Sequence, residues 1–374
     1  MTSPRYGTAS LADVMPSVLA LLGVPGEADT LGLRADLEGV RRVAVLLVDG
    51  LGWHQLPLTG PSLRSLPARK LTSGFPSTTP TSLVTLGTGV TPGAHGIVGF
   101  TVNVPGTDRV LNHIRWGTDP DPQAWQPVPT AFDRAAAAGL RSAVVINPDF
   151  EGSGLTVSAY RGAGFRGAAT VDDIAREMLA ALSEVSLVYG YFPDVDTSGH
   201  VYGVNSTEWL AAVADAERLI VRLAERLPAD AALLVTADHG QLNVEPEDRF
   251  DIDASPALRA GVRVVAGEPR VRYLHTLPGA RDDVVAAWKA ILGPAAWIGT
   301  REEAVARGWY GPVPSSHLAR LGDVVVACRD KYAILATKTE PALLSRLIAY
   351  HGSDTAVEME IPLLVAPGSV VRPR

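Results

Sequence analysis

Short apolar runs punctuate the chain at Val43–Val48, Ala143–Ile146, Ser186–Tyr191, Ala231–Thr236, Val324–Cys328, Tyr332–Ala336 and Ile361–Val365. They have the length of strands, and most lack a polar alternation, as expected of strands covered on both faces. Between several of them, apolar residues recur at helical spacing: Leu83–Leu86 onward, Thr130–Ala138, Val171–Leu182, Ser206–Arg226 and Glu340–Tyr350. Leu11–Leu22 shows the same spacing and predicts an outer N-terminal helix. Strands alternating with helices predict an α/β fold, a mostly parallel sheet with helices on both faces.

From about Glu245 to Leu321 the rhythm changes. Short strands at Val262–Val265 and Val271–His275 precede a helix over Asp282–Leu292 and a Gly/Pro-rich loop over Gly308–Pro314. The expected organisation is an α/β core from 1–244 and 322–374, interrupted by a smaller α+β cap or insertion over 245–321.

The residues after three of the runs carry the chemistry. Val43–Val48 ends in Asp49-Gly50. Ser186–Tyr191 leads into Phe192-Pro193-Asp194-Val195-Asp196-Thr197-Ser198-Gly199-His200. Ala231–Thr236 leads into Ala237-Asp238-His239-Gly240. In open α/β sheets ligands bind beyond the carboxyl ends of the strands. Any one of these pieces could be a turn or a helix cap. Together they bring carboxylates and imidazoles to one edge, a donor set suited to Zn²⁺, and less specifically to Mn²⁺ or Mg²⁺. A hydroxyl-rich loop, Phe75-Pro76-Ser77-Thr78-Thr79-Pro80-Thr81-Ser82-Leu83, precedes a helical pattern. Hydroxyls there face the anion-favouring end of a helix, and a nearby metal can make a hydroxyl nucleophilic. Helix capping is the other use of such a loop, and composition does not separate the two.

These residues resemble the alkaline phosphatase superfamily and, within it, the type I phosphodiesterase/nucleotide pyrophosphatase branch. The resemblance runs from about Val43 to Val365. It rests on Val48-Asp49-Gly50, Phe75-Pro76-Ser77-Thr78-Thr79, Thr88-Gly89-Val90-Thr91-Pro92-Gly93-Ala94-His95-Gly96-Ile97, Asp196-Thr197-Ser198-Gly199-His200, Thr236-Ala237-Asp238-His239-Gly240 and His351-Gly352-Ser353-Asp354. It implies an alkaline phosphatase-like fold and two divalent metal ions, zinc expected, a few ångströms apart. Asp49, Thr79, Asp238 and His239 would hold one ion, and Asp196, His200 and His351 the other. Thr79 is preferred to Thr78, and Asp196 to Asp194, because they match the family's spacing. His351 follows from the resemblance alone.

The implied activity is hydrolysis of phosphate esters, foremost phosphodiester or nucleotide pyrophosphate bonds, through a metal-coordinated Thr79 nucleophile and a covalent phospho-threonine. A phosphomonoesterase using the same site is the alternative, followed by a non-catalytic metal-dependent phospho-ligand binding protein. Two departures bear on substrate: the branch's usual Asn after the His-Gly-Ile segment is here Phe100, with Asn103 and Asn112 nearby, and the proline after the nucleophile is displaced to Pro80. Trp53 and Phe100 are candidates for stacking on a base, or for the core. His95 is expected to support the turn after the nucleophile helix, and His113 to lie near the pocket.

Composition narrows the partners. The net charge is −7 with no Lys/Arg block, so no stable nucleic-acid binding is expected, and the partner is a small phosphate ester or nucleotide. The single cysteine, Cys328, excludes an internal disulfide and reads as a buried strand thiol. No apolar stretch has membrane-spanning length and no secretory pattern opens the chain, so a cytoplasmic protein without membrane association is expected.

Overall fold

A computed structural model of the chain describes residues 1–368. The two larger sheets are built from eleven strands, in chain order β1 (Arg42–Val48), β2 (Ala68–Thr72), β3 (Ser142–Ile146), β4 (Gly164–Gly167), β5 (Leu187–Phe192) and β6 (Ala231–Thr236). Four follow, β7 (Val262–Glu268), β8 (Val271–Thr276), β9 (Ala296–Thr300) and β10 (Val324–Cys328), and then a last one, β11 (Glu360–Pro367).

A seven-stranded sheet runs in the order β2-β11-β6-β1-β5-β3-β4. β6, β1, β5, β3 and β4 are mutually parallel, whereas β11 runs antiparallel to both β6 and β2. The central strands are buried along almost their whole length, which is why they read as unbroken apolar runs. The outermost strands, β2 (ARKLT) and β4 (GFRG), carry no such run, since an edge strand buries less of its length.

Helices cover both faces, as the side-chain alternation of β5 shows. The backbone at Gly190 lies against Met178 of helix Val171–Leu182, while the Tyr189 hydroxyl reaches the other way to Tyr160 of helix Gly154–Tyr160. Helix Val171–Leu182 packs on helix Thr207–Glu225; helix Gly154–Tyr160 packs on helix Thr79–Thr88. No helix among the described residues is long and apolar enough to cross a membrane.

β7-β8-β10-β9 form a separate four-stranded antiparallel sheet. Val324–Cys328 therefore pairs with β8 and β9 rather than joining the main sheet. One helix is shorter than its spacing suggests. Over Glu340–Tyr350 only Ala342–Arg346 is helical. Leu347 is extended, the Ile348 amide donates to the His200 carbonyl at 2.7 Å, and Ala349–Tyr350 pairs with Leu242–Asn243. These contacts hold the chain extended just before His351, so His351 follows a short strand instead of ending a helix.

Candidate active site

Register aligns the three strands that the sequence reading singled out. Leu47 of β1 lies opposite both Tyr191 of β5 and Thr236 of β6, so their carboxyl ends emerge at one edge. Gly50 completes the approach. Its φ is +75°, and a Cβ there would lie 2.9 Å from the Asp196 Cα; the bare backbone lets the β1 and β5 turns touch.

Two groups of donors form at this edge: Asp49, Asp238 and His239 in one, Asp196, His200 and His351 in the other, with the donor atoms of each group within 4.8 Å of one another. In the first, His239 Nε2 stands 3.1 Å from Asp238 Oδ2 and 3.5 Å from Asp49 Oδ1. Thr79 Oγ1 lies 3.2 Å from the same nitrogen. In the second, His200 Nε2 is 3.3 Å from Asp196 Oδ2 and 3.2 Å from His351 Nε2, and His351 Nε2 is 3.6 Å from Asp196 Oδ1. The His239 and His351 rings stack at 3.5 Å, so the groups adjoin.

The geometry fits cations better than hydrogen bonds. Nδ1 of His200, His351 and His239 faces the carbonyl oxygens of Ala349 (2.8 Å), Ser77 (2.9 Å) and Gly240 (3.3 Å). A carbonyl only accepts, so each Nδ1 carries the proton and each Nε2 presents a lone pair to the cluster. Two lone pairs facing at 3.2 Å need a cation or a proton between them. Among the described residues Asp49 Oδ1 and Asp238 Oδ2 are buried with no hydrogen-bond partner, which is costly unless a positive charge meets them.

Titration follows the same logic. Burial, then the neighbouring carboxylates of Asp238 and Asp196, push the Asp49 carboxyl well above the usual range. Burial also raises Asp196 against the pull of His200 and His239. It holds His351 well below the usual imidazole value, helped by the facing His239 and His200. Burial would raise Asp238 too, but His239 beside it brings it below the ordinary value. Repulsion among buried carboxylates on one side and among imidazoles on the other is the pattern that divalent ions relieve.

Thr79 is the first residue of helix Thr79–Thr88. Neither it nor Thr78 makes a side-chain cap bond, so the capping use of the loop finds no support for these two hydroxyls. Ser77 Oγ donates to the Ser353 carbonyl at 2.7 Å, tying the loop to the His351 segment. Asp194 is exposed, outside both groups.

Several contributors escaped the sequence reading. The Tyr191 hydroxyl donates to Asp49 Oδ2, and the Gln241 amide to Asp196 Oδ1. The amides of Gly50 and His239 donate to Asp238 Oδ1 at 3.1 and 3.0 Å. Gln241 stands two residues past His239, a proximity that could have flagged it; Tyr191 lies within an apolar run and gave no signal. Glu268, at the end of β7, is buried beside Thr78 and His239, and burial pushes its carboxyl up to about 8 although both neighbours oppose the shift.

His95 is buried, its Nε2 2.9 Å from Thr85 Oγ1 while its Nδ1 accepts from the Ile97 amide, so it does brace the turn after the helix. His113 is buried between the Gly99 carbonyl and the Trp125 indole; its neighbour Ile114 lines a cleft at Thr79. The Asn103 amide donates to the Thr107 and Arg109 carbonyls, and the Asn112 side-chain oxygen accepts from the Ile114 and Arg115 amides, so both close local turns. Trp53 borders a different depression, with Leu56, Leu63 and Leu364. His54 is exposed and faces Glu360.

The family model described as type I phosphodiesterase/nucleotide pyrophosphatase matches residues 43–354. No curated protein matches the sequence. Among solved structures, murine ectonucleotide pyrophosphatase/phosphodiesterase 5 is similar with a TM-score of 0.69 at 20% identity, covering 86% of this chain and 87% of that one. The human form gives 0.68 at 18% identity, covering 87% of each. Phosphonoacetate hydrolase from Sinorhizobium meliloti gives 0.65 at 20% identity, covering 90% of this chain and 92% of that one.

Proposed function

Since the chain belongs to the type I phosphodiesterase/nucleotide pyrophosphatase family and is a metal-dependent hydrolase of that type, we propose that it cleaves phosphodiester or pyrophosphate bonds with Thr79 as nucleophile. The observation that carries this reading is the Thr79 hydroxyl, 3.2 Å from His239 Nε2 at a helix start, beside one buried and one half-buried acid–imidazole group. Asp49, Thr79, Asp238 and His239 would hold one ion; Asp196, His200 and His351 would hold the second. Zinc is the best match to this mixed carboxylate and imidazole set. Such ions supply positive charge that lowers the pKa of a hydroxyl or water and neutralises a transferring phosphoryl group.

The chain's own residues do the rest. Thr79 Oγ loses its proton to solvent and bonds to phosphorus, while the ester oxygen opposite it departs with the leaving group. The Thr79 and Thr81 amides in the first turn of helix Thr79–Thr88 have no helical acceptors and point their positive end at the anion, while Pro80 between them has no N–H to offer. Water then attacks the phospho-Thr79 ester, its oxygen goes to phosphorus, and Thr79 regains its proton. Tyr191 and Gln241 hold the Asp49 and Asp196 carboxylates in place throughout.

The residues lining the cleft at Thr79 include no Lys or Arg. A dianionic monoester would lack a protein countercharge there, which favours monoanionic diesters over the phosphomonoesterase alternative. The murine relative has also been solved as an inactive variant in complex with AMP. To test the reading, Thr79→Ala should abolish hydrolysis of aryl phosphate diesters while keeping the fold, and Thr79→Ser should retain part of it. Mass spectrometry of acid-quenched enzyme should find the phosphoryl adduct on Thr79. An adduct on Thr78, or a near-normal rate for Thr79→Ala, would refute it.

A further inference from the structure

The nucleophile loop carries two adjacent threonines, of which Thr79 faces the donor groups. Thr78 before it is buried, in extended backbone with φ −136° and ψ 147°. Successive side chains of an extended segment point to opposite sides, so the Thr78 hydroxyl turns from the donor groups into the interior. It makes no cap bond to the helix. Beside it stands the carboxyl of Glu268, from the end of β7 in the second sheet. Both groups are buried, and neither has another partner among the described residues.

A carboxyl kept in the interior is costly unless something there uses it. The neighbouring guanidinium groups are committed elsewhere. Arg270 pairs with Glu358 at 2.7 Å, and Arg272 donates to Glu340 at 2.8 Å and to the Ile334 carbonyl at 2.9 Å. The Thr78 hydroxyl favours the ionised carboxyl against the effect of burial, as a donor does.

The backbone around Glu268 is shaped to admit it. A Cβ at Gly352 would lie 3.0 Å from its Cγ and 3.1 Å from its Cδ. The Gly352 carbonyl accepts from the Ser77 amide at 2.9 Å, and the Ser77 carbonyl faces His351 Nδ1 at 2.9 Å. Ser77 is thus fixed, and Thr78 is the one link between that anchor and Thr79. A rotation about the Thr78 backbone would swing Thr79 Oγ1 from its place 3.2 Å from His239 Nε2.

We propose that Glu268 is a positioning residue for the reaction: by holding the buried Thr78 hydroxyl it fixes the loop so that Thr79, and not its neighbour, presents its oxygen to the ions. The assignment rests on Thr79 being the nucleophile.

The test uses the metal-replete full chain and bis(p-nitrophenyl) phosphate. Glu268→Leu fills the space without a polar group, and Thr78→Val does the same from the other side. Each should lower kcat/KM on the order of tenfold to a hundredfold, the loss expected when a nucleophile is misplaced by about an ångström. The ion content and the inhibition constant of inorganic phosphate, which needs no attack by Thr79, should be unchanged. Glu268→Gln and Thr78→Ser keep a polar partner and should retain most of the rate. The double variant Thr78→Val/Glu268→Leu should be no slower than the slower single one, because both changes break one contact. With both partners apolar it should fold even where a single variant does not. In the metal-free chain, the two substitutions together should shift the urea midpoint less than the sum of their separate shifts.

Glu268→Leu as fast as Glu268→Gln would reduce the side chain to a space filler. Glu268→Gln as slow as Glu268→Leu would make its charge, not its contact with Thr78, the active feature. Either result overturns the assignment, as do losses that multiply in the double variant, additive midpoint shifts, or ions and phosphate affinity lost with the rate. All of these leave the hydrolase intact. A phosphoryl adduct on Thr78 of the wild-type chain, or no turnover with zinc supplied, would overturn the nucleophile reading and this assignment with it.

Discussion

Acidification should destabilise this protein measurably through one histidine outside the candidate active site. The His113 Nδ1 proton is committed to the Gly99 carbonyl at 2.8 Å, and Nε2 accepts from the Trp125 indole N–H at 3.2 Å. A second proton would set two donors against each other. Burial, with the Arg320 guanidinium nearby, holds this imidazole at about 4, although the Gly99 bond partly opposes the shift. In the unfolded chain it should titrate near the ordinary value of about 6.5. Between those two values the unfolded state binds a proton that the folded state does not. Stability from this group is therefore complete above pH ~6.5 and is lost as pH falls towards ~4. The gap of about 2.5 pH units corresponds to about 3 kcal/mol, of which about 2 kcal/mol is spent by pH 5. Urea denaturation followed by tryptophan fluorescence at pH 7.5 and pH 5, for wild type and His113→Asn, measures it. The variant leaves the Trp125 indole without its acceptor and should be less stable at pH 7.5 by about 1–3 kcal/mol. The deficit should shrink by about 2 kcal/mol at pH 5, because the variant has no proton to exclude. Protons linked to the carboxylates and to the other histidines cancel in the difference. A deficit unchanged between the two pH values would refute the buried neutral imidazole.

Elemental analysis of protein purified without chelator should find two divalent ions per chain, and chelation should remove activity; an active metal-free protein would refute both donor groups. Tyr191→Phe should weaken metal binding by about 10–100-fold without unfolding the chain, since it deletes only the hydroxyl that orients Asp49; unchanged affinity in a metal titration would show that Asp49 needs no such support. Glu358→Ala should cost about 3–5 kcal/mol in denaturant unfolding, because it leaves the fully buried Arg270 guanidinium without its carboxylate, whereas replacing both partners with apolar residues should cost far less.

What was legible in the sequence follows from burial. β1, β5 and β6 are central and covered on both faces, so they stand out as apolar runs, and the polar residues after them mark the binding edge. Asp49, Asp238, His239 and the stretch Asp194–His200 could be proposed from that logic, and the family's spacing was needed to prefer Asp196 to Asp194. His351 could not: it follows a two-residue strand, Ala349–Tyr350, held by pairing with Leu242–Asn243, and no local periodicity signals such a position. Only the family resemblance pointed to it. The overextended helix at Glu340–Tyr350 has the same origin, since apolar spacing cannot show that the Ile348 amide is taken by the His200 carbonyl. Tyr191 was invisible for the opposite reason: inside a strand, an aromatic residue that orients a carboxylate looks like one that fills the core.

The position of His351 also explains why the smaller sheet belongs to the chemistry. The turn between β7 and β8 presses against Gly352: a Cβ there, at φ +136°, would lie 3.0 Å from the Glu268 Cγ and 3.2 Å from the Arg270 Cβ. Arg270 is anchored to Glu358 at 2.7 Å, and Glu358 in turn accepts from the Ser353 amide at 3.0 Å. Ser353 gives its hydroxyl to the Cys328 carbonyl at the end of β10 and receives that of Ser77 from the nucleophile loop. The His351 imidazole closes the circuit on the Ser77 carbonyl. Three segments far apart in sequence thus fix one another, and the second sheet supplies the wall against which they lock. Such a site can hold donor atoms in place before any ion arrives, because the strain of gathering buried carboxylates is offset by packing and hydrogen bonds outside the donor groups.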